Sequence, residues 1–239
     1  MIRKIALSAI LIFAGMFIFV SSSHALDISI GASTWYAKWE TDQSGESHET
    51  DIDPAFLYGP VLGINFTPTV SLTSVFLYGE FDMGDDDDDG DSNEIERYDS
   101  DTALNFALSR YVKLFGGLKY MGYDWESGEH IGYGPALGIA LTVPLFDNFY
   151  LLINASGMYL WGTHEEKDDD SGEKIEEDYN EPGFNTNLSI AYYIAPASLS
   201  IILGGRYQYF KTEQDNDEGG DMEHTFYGVT LTAVYSFSI

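Results

Sequence analysis

In the last fourteen residues, FYGVTLTAVYSFSI (226–239), bulky apolar side chains recur at every second position. Tyr227, Val229, Leu231, Tyr235 and Phe237 fall on one face, and Gly228, Thr230, Thr232, Ser236 and Ser238 on the other. A period of two is the mark of a β-strand. The same alternation runs through YGPALGIALTV (133–143) and LSIILGGRYQY (199–209), where Arg206 and Gln208 lie on the polar face. The second face is what constrains the fold. It consists mostly of Gly, Ala, Ser, Thr and Asn with few ions, whereas a water-soluble sandwich would turn a charged face to solvent. A large apolar face backed by a small, weakly polar one fits a barrel with lipid outside and side chains filling the inside.

The charge of the chain has to be reconciled with those segments. Its formal net charge is −28, yet 44% of it is hydrophobic and 15% aromatic, so it does not have the composition of a disordered chain. The acidic residues gather in five clusters, 40–53, 80–101, 124–130, 164–181 and 211–223, and no charged residue lies between Pro54 and Gly79. So acidic a chain excludes nucleic acid and a bare anionic membrane surface as direct partners. At the N-terminus Arg3 and Lys4 precede an apolar run over 5–20, and Ser23-His24-Ala25 offers small residues where a signal peptidase reads them. Residues 1–25 are expected to be a cleaved signal peptide and 26–239 the barrel domain. The apolar run is too short for the ~20 residues of a membrane-spanning helix. There is no cysteine, hence no disulfide and no site for a lipid anchor.

Ten strands are predicted, at roughly 27–39, 54–66, 70–82, 100–110, 114–125, 132–143, 149–162, 184–194, 199–210 and 225–239. Short, nearly uncharged connections around 67–69, 111–113, 144–148 and 195–198 alternate with the five acidic clusters. That count leaves both termini on one side, where the first and last strands can pair and remove the open edges that hydrocarbon does not tolerate. The expectation is therefore an all-β, transmembrane, antiparallel up-and-down barrel of about ten strands. In the third strand Leu72, Phe76 and Tyr78 compete with Val75, Leu77 and Phe81 for the outward face, which predicts a bulge near Ser74. Asn105, Lys119, Arg206 and Gln208 are expected in the lumen, together with Tyr111. Lys119 and Arg206 make that lumen basic, either as a structural network or as the constriction of a narrow pore.

Aromatic residues stand near the strand ends: Tyr58, Tyr133, Trp161 and Tyr227 at one end, Phe66, Tyr235 and Phe237 at the other. In these features the chain resembles the small bacterial outer-membrane β-barrel proteins. The resemblance implies a Gram-negative outer membrane, long acidic loops facing the cell exterior, short periplasmic turns and insertion by the barrel-assembly machinery; a monomer is the default expectation. The last strand is similar to that family's assembly signal. It departs by ending in Ile239 rather than an aromatic residue and by lacking a glycine near Val234.

The segment DDDDDGDSNEIE (85–96) matches a calcium-loop pattern, with Asp85, Asp87, Asp89 and Asp91 around Gly90 and Glu96 at the twelfth place. Its flanks are strand-like, and Ser92 stands where a helix–loop–helix site carries an apolar residue, so that kind of site is not expected. The loop either binds Ca2+ or Mg2+ or is simply solvated; no other cofactor is expected. Acidic loops beside phosphate-rich lipid repel it unless divalent cations bridge them, which makes outer-membrane lipids and lipopolysaccharide the expected partners. His48, His130, His164 and His224 lie in or beside the acidic clusters, only His224 being placed in a strand, and none has metal-ligand spacing. No enzyme is expected. The reading is a structural or surface-interaction barrel with cation binding at the rim; the alternatives are a narrow porin-like channel and an outer-membrane hydrolase.

Overall fold

The computed structural model describes residues 26–43, 52–83, 94–126, 128–167, 174–214 and 221–239. The expected signal peptide and Asp85, Asp87, Asp89 and Asp91 lie outside the described residues. Ten strands follow in order: β1 Asp27–Gln43, β2 Ala55–Asn65, β3 Val70–Asp82, β4 Glu94–Ala107, β5 Val112–Trp125, β6 Gly128–Phe146, β7 Phe149–Lys167, β8 Lys174–Ile194, β9 Leu199–Gln214 and β10 Met222–Ser238. Each pairs antiparallel with its neighbours in the chain, and β1 closes on β10 from Asp27↔Ser238 to Gln43↔Met222. The closed ten-stranded barrel is the one the alternation predicts.

Leu118, Leu137, Leu188, Leu203 and Val229 are exposed on the outer wall, as lipid-facing positions must be. Aromatic residues frame that apolar band. Tyr133 pairs with Trp161, and Tyr58 and Tyr227 are also exposed near the rim that carries the long connections. Phe146, Phe149, Tyr192 and Tyr235 stand near the short-turn rim, with Phe149 stacked on Tyr192 at 4.5 Å. From Tyr227 to Phe237 a strand tilted by ~40° rises about 25 Å along the axis, the height of the hydrocarbon-facing band in such barrels. Residues beyond Tyr133, Trp161 and Tyr227 toward the long connections thus lie outside the membrane-spanning segments.

The strands are longer than the alternation alone suggests. β4 begins at Glu94 and β8 at Lys174, and β7 runs on to Lys167, so acidic residues expected in loops sit in paired strands. Past the hydrocarbon band a strand needs only backbone partners, and a carboxylate is tolerated on a face that meets water. The short turns fall near the expected places; two of them use left-handed residues, Asn148 and Ser198. Tyr111 lies exposed on one of these turns and not in the lumen, with the Arg110 guanidinium 4.5 Å from its ring centre. The expected bulge at Ser74 is absent. β3 keeps one register against β4 from Val70 to Asp82, and the irregularity falls at Pro144/Phe146. Leu77 and Phe81 point in while Phe76 and Tyr78 point out. Both faces of β3 are apolar because the lumen at that height is apolar too.

Proline and glycine mark the tight places. Pro60, Pro135 and Pro182 each stand in an interruption of one ladder, between Tyr58 and Val61, Tyr133 and Ala136, and Asn180 and Gly183. Proline has no N–H to give to such a ladder. A Cβ at Gly134 would lie 2.0 Å from the Tyr159 carbonyl oxygen, and one at Gly228 1.9 Å from that of Tyr36. Only glycine lets the neighbouring strands come so close there.

Candidate functional site

The inside of the barrel changes with height. From the short-turn rim, where Asn65 and Lys113 are exposed, a shaft of about 560 Å3 runs inward between walls of Ser, Thr and Asn, among them Ser33, Thr73, Asn154 and Asn187. Asn105, expected in the lumen, is part of this wall and donates its amide to Thr73 Oγ1 at 3.2 Å and to the Ser71 carbonyl at 3.3 Å. These small polar side chains are the face that the sequence pattern reveals.

The shaft ends on a layer of ions. Lys119 Nζ donates to Asp99 Oδ1 at 2.6 Å and to Asp101 Oδ2 at 3.1 Å. Arg206 Nη2 donates to the same two carboxylates, at 3.0 Å each, and to Gln208 Oε1 at 3.0 Å, and Arg206 Nε donates to Asn185. Arg97 closes the group from above, donating to Asp99 Oδ2 at 3.1 Å and to the Tyr123 hydroxyl. Lys119, Arg206 and Gln208 are thus in the lumen where the alternation places them. The expectation of a basic lumen needs correction. Asp99 and Asp101, counted by sequence in the acidic cluster 80–101 with only Asp101 inside the predicted strand, point inward from β4 and pair with the cations. A buried charge is tolerated when it is paired and hydrogen-bonded. Only Asp101, 35% exposed, reaches far into the shaft.

Above the ions the lumen is filled with large apolar side chains, where small residues were expected. Trp35, Leu57, Met121, Leu160, Phe210 and Phe226 have no exposed surface. The Trp39 ring stacks on Tyr123 and on Phe226, at 5.1 Å each, and the Arg97 guanidinium lies 3.6 Å from the centre of Phe226. Arg206 lies 4.4 Å from the Trp35 ring centre, so cation–π contacts join the two layers.

Three histidines border this apolar layer. His130 and His164 are cross-strand partners on β6 and β7, so His224 is not alone in lying within a strand. Each stands three residues beyond a belt aromatic: Tyr133, Trp161 and Tyr227 respectively. His130 Nε2 and Glu181 Oε1 are 2.9 Å apart, and the Thr212 hydroxyl donates to that same oxygen at 2.9 Å. Glu181 Oε2 finds no partner and is pressed against Gly132, where a Cβ would lie 2.3 Å from it. His224 Nδ1 accepts from Trp39 Nε1 at 3.3 Å. Burial, and then the nearby charges of His130 and Arg97, push the His224 imidazole down to about 3. Burial also lowers His164, with His130 acting in the same direction. Among the described residues no three His, Asp or Glu groups are placed to hold a metal ion.

On the outer face, just beyond the aromatic belt, register creates something the linear sequence does not display. Glu80 pairs with Glu96, Glu96 with Asp124, Asp124 with Glu129, Glu129 with Glu165, and Glu165 with Glu176, on six adjacent strands. Directly paired residues share a face, so these carboxylates form one row. Like charges in such positions repel each other. Lys174 donates to Glu165 at 2.6 Å, and the Tyr98 hydroxyl to Glu96 at 2.5 Å. Glu96, twelfth residue of the calcium-loop pattern, therefore stands on a strand.

The closed antiparallel meander with an apolar exterior and a polar shaft decides the architecture. The fold is that of a small outer-membrane β-barrel. Among solved structures, the outer membrane protease OmpT from Escherichia coli superposes with a TM-score of 0.55 at 12% identity, over 91% of this chain and 100% of that one. The translocator domain of the autotransporter NalP from Neisseria meningitidis matches with a TM-score of 0.45 at 9% identity, over 98% and 96%. At such identities an outer-membrane barrel shares the fold alone. No protein-family model matches the sequence, and no curated protein matches it.

Proposed function

We propose that the chain is an integral protein of the bacterial outer membrane with a closed lumen, whose long acidic connections face the cell exterior and meet cations and partners there. The observation that carries this reading is the fully buried layer around Trp35, Phe210 and Phe226, which stands on the ion network and, among the described residues, fills the lumen above the shaft. The row of carboxylates beyond the aromatic belt supports divalent cations as bridges to phosphate-bearing lipid. Hard oxygen ligands of that kind suit Ca2+ and Mg2+. Burial of His130, Glu181 and His224 withholds them from a substrate and supports a role other than catalysis. The chain is read as a monomer that relies on the assembly machinery for insertion.

The test is electrical. Full-length mature protein in planar bilayers at neutral pH is expected to give no conductance steps over repeated insertions. Steady unitary conductance would favour the narrow pore instead, a reading that draws on the shaft. Cation bridging is checked by melting in lipid vesicles: the midpoint should rise when millimolar calcium replaces chelator, and an unchanged midpoint would remove that part.

A further inference from the structure

The aromatic layer has a titratable group built into it. The His224 ring is stacked against Phe210 of β9 at 4.8 Å and against Tyr123 of β5 at 6.2 Å. Trp39 of β1, whose ring lies 5.9 Å away, directs its indole N–H at Nδ1. A nitrogen that accepts this bond carries no proton, so the packed state holds a neutral imidazole.

Every charged group packed around it disfavours a second cation or is already engaged. Arg97 of β4 lies over the adjoining Phe226 ring, and His130 of β6 lies 5.9 Å from Tyr123. Glu181 of β8 is bound to His130 and Thr212 through Oε1 and turns its Oε2 against Gly132. Asp99, below, is held by Arg97, Lys119 and Arg206. Phe81 of β3 and Phe210 of β9 offer only rings, and the Tyr123 hydroxyl receives Arg97. Protonation at Nδ1 would set an N–H against the Trp39 N–H and place a second cation beside Arg97 in a stack of aromatic rings.

We propose that His224 is an acid-operated latch: its protonation drives the imidazolium out of the stack, frees Trp39 from Phe226 and opens the outer half of the lumen to solvent. This rests on the closed-lumen reading, which the conductance measurement at neutral pH tests separately. With the packed imidazole at about 3 and an exposed one at 6.5, the open population grows about tenfold per pH unit as pH falls between those values.

The experiment uses the mature chain in lipid nanodiscs with Trp125→Phe and Trp161→Phe, which leaves Trp35 and Trp39 as the only fluorophores of their kind. Acrylamide quenching is measured from pH 7.5 to 3.5. Quenching is expected to rise at least threefold on acidification in this background. It should stay flat in two further variants: His224→Phe, which keeps the stack, and His224→Asn, which keeps an acceptor for Trp39. Heat-modifiable migration on a gel confirms folding of each. Flat quenching with His224 present, or an equal rise in the folded variants, overturns the latch.

Discussion

Replacing Asp99 by Asn isolates the charge at the centre of the ionic layer while keeping its shape. Asp99 is 1% exposed and takes hydrogen bonds from Arg97 at 3.1 Å, Lys119 at 2.6 Å and Arg206 at 3.0 Å. With the carboxylate gone, three buried cations face Asp101 alone, and the surplus positive charge rises from one to two. The new amide also turns N–H groups toward donors. Removing one partner of a buried, bonded pair costs about 3–5 kcal/mol, because the remaining charge cannot be hydrated. Divided by a guanidinium m-value of roughly 4 kcal/mol/M, this lowers the unfolding midpoint by about 1 M. The assay is reversible guanidinium unfolding in lipid vesicles, followed by circular dichroism. Adding Lys119→Met to Asp99→Asn removes one surplus cation and is expected to restore more than half of the loss. A single variant within about 0.5 kcal/mol of the parent, or a double variant no more stable than the single, would refute the account of the layer.

Glycine, acid and loop length give further tests. Gly228→Val puts a Cβ 1.9 Å from the Tyr36 carbonyl oxygen at the closing seam and should abolish heat-modifiable migration, whereas Gly157→Ala, with nothing within 4 Å, should migrate like the parent. The His224 imidazole is held down to about 3 in the folded state against 6.5 when exposed, so its contribution to stability is complete above pH 6.5 and is lost as pH falls toward 3. Over that window the parent should lose about 1 kcal/mol per pH unit more than His224→Phe in parallel denaturation series, and equal slopes would contradict the assignment. Deleting residues 85–92 should leave folding intact, because β3 and β4 pair up to Asp82↔Glu94 without them; loss of the folded band on a gel would show that the segment is structural.

Lipid exposure made the architecture legible. Outward positions such as Leu137, Leu203 and Val229 must be apolar wherever hydrocarbon touches them, so the period of two survives in every strand. The lower lumen was legible for the complementary reason: Asn105, Thr230 and Thr232 line a polar space and cannot be mistaken for lipid-facing residues. Legibility failed where the constraint changed along the strand. Beyond the aromatic belt the outside meets water and the inside becomes an ordinary apolar core, so the two faces exchange character. Asp99 and Glu181 then read as loop residues although both are buried, and Leu77 and Phe81 compete with Phe76 and Tyr78. The carboxylate row was hidden for another reason. Its members are scattered from Glu80 to Glu176, and only the register between six strands makes them neighbours.

On the closed-lumen reading, the shaft is a solvent-filled recess open at the short-turn rim. Electrolyte entering at the short-turn rim brings that compartment's potential up to Asp101, so a voltage imposed across the membrane does not fall evenly over about 25 Å of hydrocarbon. It drops instead across the ion layer of Arg97, Lys119 and Arg206 and the aromatic layer above it. An elementary charge crossing the full drop at 100 mV changes in energy by about 2.3 kcal/mol, comparable to a single strong hydrogen bond. The part of the barrel that feels the field is thereby shortened to the closed half, with three guanidinium and ammonium groups at its inner boundary.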